Sequence, residues 1–283
     1  MFRTWALGFL LVLIVSIPGL AWADGKLTED QFTQEFASAV KNKVPGANVE
    51  IVGKLTVRVK FKEREPYTAM LDNAYAKYLS DNLPLQEALG PYVDSVLNSG
   101  DFQTEYGAPI KPIIRPVFSL GEYGVLPSGD PKATLASISF SGNLAIYFVH
   151  DGSKKITYIT QQELADRHET VHDLFLESVK SLNGDLPDYK FEQAGVFTMV
   201  AGDEFTSSLV LLDNFWTKPP VALNGDPVVF MVSRDALIIT GSENRDEIRA
   251  IAPNMKEIVA HSAYSISSEP LVRRKGVWEA YTP

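Results

Sequence analysis

The stretch from Arg167 to Leu174, RHETVHDL, holds the residues best suited to do chemistry. Its segment His168-Glu169-Thr170-Val171-His172 matches the pattern H-E-x-x-H. On a helix this spacing places two imidazoles on one face, where they bind zinc, and the glutamate acts as general base. One hypothesis is therefore a zinc-dependent hydrolase that uses His168, Glu169 and His172.

The residues around this motif argue against a zinc site. Zinc-protease helices usually keep the flanking positions uncharged, but here Asp166 and Asp173 occupy them. Neither a glycine nor a third histidine follows at the metzincin spacing, because the next residues are Leu174 to Glu177. The secondary-structure elements around the motif therefore determine whether its role is catalytic or structural.

An internal repeat supplies those elements. Phe32–Lys41 and Val171–Lys180 align without a gap, and each has apolar residues at i, i+4 and i+8, which is typical of an amphipathic helix. Strand-like segments follow each helix, and both copies then reach the same signature, Leu71-Asp72-Asn73 in the first and Leu212-Asp213-Asn214 in the second. Matching order over several elements indicates a duplicated unit.

Each unit is predicted to contain a helix, three strands, a helix, two strands and a helix, which is an α+β architecture. The first unit covers residues 24–166 and carries an insertion at about 81–138, with one helix at Leu85–Leu97 and a Pro/Gly-rich stretch around Ile114-Arg115-Pro116. The second unit covers residues 167–283, with its third strand at Ser207–Leu212 and further strands at its C-terminus. Two such units are expected to pack as an intramolecular pseudo-dimer.

The repeat gives HETVH an ordinary structural role. In the ungapped register His168 aligns with Glu29 and His172 with Thr33. The motif then occupies the first turn of the second unit's opening helix. Asp166 and Glu169 are predicted to form its capping pair, as Thr28 and Gln31 do in the first unit. We therefore predict no catalytic residues and no cofactor, with zinc at His168, Glu169 and His172 as the alternative.

Other polar and aromatic candidates have structural interpretations too. Asp72 and Asp213 stand where a strand ends and a helix begins, so they are predicted N-caps rather than calcium ligands. Arg115 is suited either to grip a carboxylate or to pair with an internal acid, and the ion pair is favoured. Trp216 and Trp278 are predicted to pack in the core or at a sheet edge.

Other patterns in the sequence do not indicate catalysis either. His150-Asp151-Gly152-Ser153 is predicted to be a hairpin turn rather than a catalytic pair. The sequence contains no G-x-S-x-G, phosphate-binding loop or dinucleotide fingerprint. Neither nucleophilic catalysis nor nucleotide binding is therefore indicated.

The order of elements resembles the small α+β fold of type III secretion chaperones and of YbjN-like proteins. A second resemblance rests on five segments of the sequence: Leu71-Asp72-Asn73, Ile114-Arg115-Pro116-Val117, Gly225-Asp226-Pro227-Val228-Val229, Arg234-Asp235-Ala236-Leu237-Ile238-Ile239-Thr240-Gly241 and Leu271-Val272-Arg273-Arg274-Lys275-Gly276-Val277-Trp278-Glu279. Through these segments the sequence from about Thr28 to Tyr281 resembles the YtpQ-like family of bacterial proteins, whose biochemical role is not established. The resemblance implies no active residues, because family members have no established reaction.

The N-terminus predicts export. Arg3 precedes an apolar run from about Trp5 to Leu20, and Ala21-Trp22-Ala23 gives the small-x-small pattern of a signal-peptidase site. Cleavage before Asp24 makes residues 1–23 a signal peptide, leaves no transmembrane segment and places the protein in the periplasm or outside the cell. Retention of the apolar run as an anchor is the alternative.

Charge and cysteine content narrow the class of partner. Removal of Arg3 from the 26 basic residues leaves 25 against 35 acidic ones, a net charge near −10, which disfavours nucleic acid. The chain contains no cysteine, which excludes disulfides, thiol nucleophiles and thiolate metal sites. We expect an exported, non-enzymatic module that binds a protein or a small ligand. The alternatives are the zinc hydrolase and a carrier of a small apolar ligand.

Overall fold

The computed structural model describes residues 26–63, 66–80, 83–99, 107–118, 134–153, 156–219 and 221–283. The predicted signal peptide, residues 1–23, lies outside these ranges. The helices are α1 (Glu29–Lys43), α2 (Asp72–Ser80), α3 (Leu85–Leu97), α4 (Gln161–Asp166), α5 (Val171–Gly184), α6 (Asp213–Thr217) and α7 (Arg245–His261), with a 3₁₀ helix at Thr206–Leu211. The strands are β1 (Asn48–Gly53), β2 (Thr56–Lys60), β3 (Tyr67–Met70), β4 (Ile110–Pro116), β5 (Ser137–Ser141), β6 (Leu144–Asp151), β7 (Ile156–Tyr158), β8 (Tyr189–Ala194), β9 (Phe197–Gly202), β10 (Pro227–Ser233), β11 (Ala236–Gly241), β12 (Leu271–Arg274) and β13 (Val277–Ala280).

The fold is a mixed α+β fold in which the described strands pair in antiparallel fashion. The first sheet has the order β1-β2-β3. In the second sheet β6 pairs with β4 along one edge and with β5 and β7 along the other. The third sheet has six strands in the order β13-β12-β10-β11-β9-β8.

The first sheet and the helices α1, α2 and α3 enclose a core of their own. Phe32, Phe36 and Val40 of α1 are fully buried, as the predicted amphipathic helix requires. Val57 and Val59 of β2 are also fully buried, while Thr56, Arg58 and Lys60 are more exposed, as expected of a strand with one face on the core. These two sequence predictions are confirmed.

A second and larger core joins the second sheet to elements that follow residue 167. It contains Phe148 of β6, Leu174 and Leu182 of α5, and Ile239 of β11, all of which are fully buried. Seven of the eight residues of β6 are buried, as expected of a strand covered on both faces. The predicted boundary between residues 166 and 167 therefore lies between segments that share one core.

The third sheet is covered on both of its faces. One face contributes Val229, Leu237 and Ile239 to the large core, and the other packs beneath α7 through Val228 and Phe230. Side chains of successive residues in a strand point to opposite faces, so Val228 and Val229 enter different cores.

The two candidate tryptophans pack as predicted. Trp216 and Trp278 are buried, and their rings meet edge to face with centroids 4.9 Å apart. Each indole N–H donates to a backbone oxygen, that of Trp216 to Leu209 at 3.0 Å and that of Trp278 to Val210 at 2.8 Å. Both rings are therefore satisfied core residues.

The prediction of a strand at Ser207–Leu212 is wrong. The segment forms the 3₁₀ helix Thr206–Leu211, whose first five residues are all buried. The Ser208 hydroxyl donates to the Pro112 oxygen of β4 at 2.7 Å, which ties the turn to the second sheet. A short buried run has no periodicity that separates a strand from a helix, so tertiary packing decided its conformation.

The stretch around Arg115, predicted only as Pro/Gly-rich, forms the regular strand β4. Ile113 and Ile114 are buried in the large core. Pro112 and Pro116 are tolerated because β4 pairs only with β6 in the described part of the sheet, which makes it an edge strand.

Candidate functional site

The first half of HETVH closes helix α4. His168 has a φ of 58°, the left-handed conformation that commonly follows a helix. Its N–H donates to the Ala165 oxygen at 3.1 Å, and the N–H of Glu169 donates to the Leu164 oxygen at 3.4 Å. These two bonds form a Schellman motif, so His168 and Glu169 terminate one helix instead of lying inside another.

The second half of the motif opens helix α5. Thr170 is the N-cap, its hydroxyl accepts from the Asp173 N–H at 3.2 Å, and the Asp173 carboxylate accepts from the Thr170 N–H at 3.0 Å. The prediction that Asp166 and Glu169 cap this helix is therefore wrong, because α4 extends to Asp166 and a turn separates it from α5. The reciprocal box at Thr28 and Gln31 of α1 is confirmed.

The break between α4 and α5 removes the geometry that the zinc alternative needs. His168 precedes the N-cap and His172 follows it, so the two imidazoles do not share a helical face. The Glu169 carboxylate accepts from Arg167 at 2.8 Å. Within the described ranges no three side chains of the His, Asp and Glu types are grouped closely enough to hold a metal ion.

The two Asp-Asn sites start helices, but their side chains do not cap them as predicted. Asp72 and Asp213 are the first residues of α2 and α6, and the N-cap of α6 is Leu212, without a side-chain cap bond. The Asp213 carboxylate instead accepts from Arg273. In the first site the Asn73 side-chain oxygen accepts from the backbone N–H of Tyr264, 191 residues away.

His150, predicted to lie in a hairpin turn, is a buried residue of strand β6. Its Nε2 lies 2.7 Å from the Glu163 carboxylate, which connects β6 to α4. The sequence pattern did not suggest this pair, because Glu163 belongs to a helix beyond the next strand. The contact fixes α4 against the second sheet.

Five side chains from separate elements converge on one region, which we name the arginine–tyrosine cluster. Its members are Arg115 of β4, Tyr158 of β7, Arg234 in the turn between β10 and β11, Tyr264 in the loop after α7, and Tyr92 of α3. None of the five is exposed. The cluster joins all three sheet regions, since α3 belongs to the core of the first sheet.

Tyr264 is the centre of this cluster. The guanidinium of Arg234 lies 3.4 Å from its ring centroid, in a cation–π contact. Its hydroxyl is 3.3 Å from that of Tyr92, and its backbone oxygen accepts from the Arg234 N–H at 3.1 Å. Lys77 of α2 places a second cation 5.4 Å from the ring centroid.

The backbone of Tyr264 is held in a strained conformation. Its φ of 56° lies in the left-handed region, which is unfavourable for a bulky residue. The bonds to Asn73 and Arg234 hold the residue there. Strain of this kind costs about 1–3 kcal/mol and persists where the surrounding structure overdetermines it, often at binding sites.

The two arginines are close enough to repel each other. Burial lowers the pKa of Arg115 and the positive charge of Arg234 lowers it further, whereas Tyr158 and Asp235 act in the opposite direction. A guanidinium nevertheless stays protonated in proteins. The Nε of Arg234 is buried without a hydrogen-bond partner.

Neither Arg115 nor Arg234 forms an ion pair with a carboxylate of the described residues. Four other arginines of the described part do so, namely Arg167, Arg249, Arg273 and Arg274. The favoured prediction, that Arg115 pairs with an internal acid, thus finds no partner among the described side chains.

Aromatic rings border the cluster on the side of the second sheet. Phe118 meets Tyr147 at 4.9 Å and Tyr158 at 5.5 Å between ring centroids. The Tyr147 hydroxyl accepts from the Phe118 N–H and donates to the Phe118 oxygen. Burial raises the pKa of Tyr158, so its phenol stays protonated at neutral pH and can donate a hydrogen bond.

The arrangement is suited to hold an oxyanion. A guanidinium presents a planar set of donors that matches a carboxylate or a phosphate, and a ring beneath it fixes its orientation. Of the five members, the sequence singled out only Arg115. Arg234 stands in a hairpin turn that the family resemblance included, whereas nothing in the local sequence distinguishes Tyr92, Tyr158 or Tyr264.

The chain matches no protein-family model, no curated protein and no solved structure. The resemblance to the YtpQ-like family therefore stays a prediction that rests on the quoted residues. Within the described ranges, no helix combines the length and the apolar composition needed to cross a lipid bilayer.

Proposed function

We propose that this protein is a non-enzymatic binding protein whose arginine–tyrosine cluster takes the oxyanion of a small ligand, a carboxylate or a phosphate. The observation that carries the proposal is the pair Arg115 and Arg234, which lie together, partly buried, without an ion-paired carboxylate among the described residues. The overall excess of acidic residues makes this concentration of positive charge a local feature.

Burial makes the charges of these two arginines energetically costly. A cation removed from water costs several kcal/mol unless an opposite charge compensates it. Two adjacent cations add their mutual repulsion to that cost. An anion bound between Arg115 and Arg234 offsets both terms, so the site favours an occupied state.

The side chains at the site favour binding over catalysis. Arginines and tyrosines supply cations and hydrogen-bond donors, which orient an anion. Asp235, whose negative charge raises the pKa of Arg115, accepts a hydrogen bond from the Ser233 hydroxyl. The restricted access of the partly buried cluster fits a single charged group of a small molecule better than an extended surface.

The proposal also covers the localisation of the protein, its family and the arrangement of its two units. We place the protein in the periplasm or outside the cell on the strength of residues 1–23. The YtpQ-like resemblance and the tandem chaperone-like units, packed as an intramolecular pseudo-dimer, are retained as well. Their support is that α1 and α5 both start with a capping box and continue into a hairpin, and that α2 and α6 both begin with an aspartate.

A thermal-unfolding titration tests the binding function. Inorganic phosphate and succinate, added separately at constant ionic strength, distinguish a phosphate from a carboxylate ligand. A ligand at a hundred times its dissociation constant stabilises the folded state by about 2.7 kcal/mol, which raises the melting temperature by about 5–10 °C.

Two variants locate the binding. Arg234→Met should abolish the shift. Arg249→Met is the matched control, because Arg249 is an exposed arginine paired with Asp246 at 2.8 Å, and it should leave the shift intact. The proposal fails if neither anion raises the melting temperature of the wild type, or if both variants respond as the wild type does.

A further inference from the structure

Strand β8 forms an outer edge of the third sheet. It pairs with β9 on one side, and no described strand pairs with its other side. Such an edge presents main-chain N–H and C=O groups that can pair with another chain. Proteins often protect such edges with charged residues or a covering segment, so the side chains on this edge determine what can pair with it.

The hairpin that contains β8 is also rich in exposed apolar side chains. Eight large apolar residues of the described part are exposed, and three of them, Leu186, Phe191 and Val196, lie on this hairpin or immediately before it. Phe191 stands in the middle of the edge strand and is 42% exposed. A central aromatic residue on a free edge is typical of a contact site.

The turn of this hairpin determines which backbone groups face outward. Gly195 and Val196 form a two-residue turn between the partners Ala194 and Phe197, and Gly195 has a φ of 61°. In a two-residue hairpin the closing pair is hydrogen-bonded, and bonded and non-bonded pairs then alternate along the strands. Tyr189, Phe191 and Gln193 therefore direct their N–H and C=O groups toward the free edge.

The charges on β8 are self-complementary about Phe191. Lys190 and Glu192 flank it, and both side chains lie on the opposite face of the sheet from Phe191. In an antiparallel pair of β8 strands with a two-fold axis at Phe191, each Lys190 lies opposite a Glu192 of the other copy. A cross-strand pair of opposite charges stabilises a sheet, whereas like charges destabilise it.

We infer that the free edge of β8 binds a second copy of this chain, in an antiparallel register with Phe191 on the two-fold axis. Outward-facing groups of Tyr189, Phe191 and Gln193 then form about six main-chain hydrogen bonds between the copies. The contact joins the two six-stranded sheets into one continuous sheet.

Competing registers do not satisfy the same conditions. A two-fold axis at Lys190 or Glu192 would place that residue directly opposite its own copy, so that like charges face each other across the contact. An axis at Gln193 would place Lys190 opposite Val196 and Glu192 opposite Ala194, which removes both charge pairs. Of these four registers, only the one centred on Phe191 places opposite charges across the contact.

Sedimentation equilibrium of the mature chain tests the inference through charge reversal. The wild type should form a dimer that dissociates on dilution. Lys190→Glu and Glu192→Lys should each raise the dissociation constant at least tenfold, because each places like charges opposite each other twice. An equimolar mixture of these two variants should dimerise again, since every opposed pair is then Glu with Lys, and the double variant should also dimerise.

Disulfide trapping tests the register. The chain contains no cysteine, so Phe191→Cys introduces a single thiol on the proposed two-fold axis. Opposed residues of a hydrogen-bonded pair have Cα atoms about 5.5 Å apart, which a disulfide spans. Gln193→Cys is the matched control, because the register separates its two thiols by about four residues, or roughly 14 Å.

Oxidation should therefore give covalent dimer with Phe191→Cys and not with Gln193→Cys. Circular dichroism and thermal unfolding of each variant verify that the fold is intact. A wild type that stays monomeric at the highest concentration overturns the inference. Equal trapping of both cysteine variants, or failure of the mixed charge variants to associate, would overturn it too. Anion binding at the arginine–tyrosine cluster does not depend on any of these results.

Discussion

Replacement of Arg115 by methionine tests whether the arginine–tyrosine cluster serves binding or stability. Methionine keeps most of the length and apolar contact of the side chain but removes the charge. Exchanging a poorly compensated buried charge for an apolar group of similar volume is neutral or stabilises by about 1–4 kcal/mol. Loss of the bond that Arg115 donates to the Ile114 oxygen, at 2.8 Å, costs about 1–2 kcal/mol.

The expected net result is a ligand-free protein that is more stable than the wild type by about 1 kcal/mol. That difference corresponds to a rise of about 2–4 °C in melting temperature for a protein of this size. The same variant should lose the thermal shift with phosphate or succinate. Calorimetry without and with the anion measures both quantities on one sample.

A matched replacement at the surface provides the control. Arg274 is half-exposed and lies 2.7 Å from Glu279, so Arg274→Met should change the free energy of unfolding by less than about 1 kcal/mol and leave anion binding unchanged. If Arg115→Met lowers the free energy of unfolding by 2 kcal/mol or more, Arg115 has a structural role and the argument from uncompensated charge is refuted.

Three further predictions concern the HETVH segment and an ion pair between β4 and the C-terminal end of α5. His168→Gly should raise the free energy of unfolding by about 0.5–1 kcal/mol in urea titrations, because glycine adopts the left-handed conformation without strain; a decrease would contradict the Schellman interpretation. Thr170→Ala should lower the free energy of unfolding by about 1 kcal/mol by removing the N-cap, whereas His172→Ala, on the exposed side of α5, should stay within about 0.5 kcal/mol. A larger loss for His172→Ala would show that the imidazole has a structural or metal-binding role. Lys111 donates a hydrogen bond to the Asp185 carboxylate at 2.7 Å and lowers the pKa of that carboxyl. The pair therefore stabilises the folded state above about pH 4, and this stabilisation is lost as the pH falls through the lowered folded-state pKa of Asp185. Urea midpoints of Asp185→Asn should therefore fall less steeply than those of the wild type between pH 4 and pH 2, and parallel profiles would refute the assignment.

Other basic side chains of this protein form ion pairs that stabilise the fold, and Lys111 is one of them. Its ammonium group is buried between Asp151 at 3.1 Å and Asp185 at 2.7 Å and lies 4.7 Å from the ring centroid of Phe205. Arg273, in the basic C-terminal segment, is likewise held by Asp213. Unlike these ion-paired cations, Arg115 and Arg234 form no ion pair with a carboxylate of the described residues, which is why we propose that they bind an added anion.

Features that depend on near neighbours along the chain could be predicted from the amino-acid sequence. The period of apolar residues predicted the buried face of α1 and the alternating strand β2, because side-chain direction follows directly from backbone geometry. The capping box at Thr28 was predictable for the same reason, since its partners lie three residues apart.

Features that depend on contacts between residues distant in the sequence could not be predicted in this way. The 3₁₀ conformation of Thr206–Leu211 follows from packing against β4, and no local pattern encodes it. HETVH lies between two helices. His168 adopts the left-handed conformation there, which a pattern of residue types does not reveal, and the continuous helix that a metal site would need is therefore absent from this segment. The arginine–tyrosine cluster joins Arg115 to Tyr264 across all three sheet regions. Only the packing of the elements that carry these residues brought their charges and rings together.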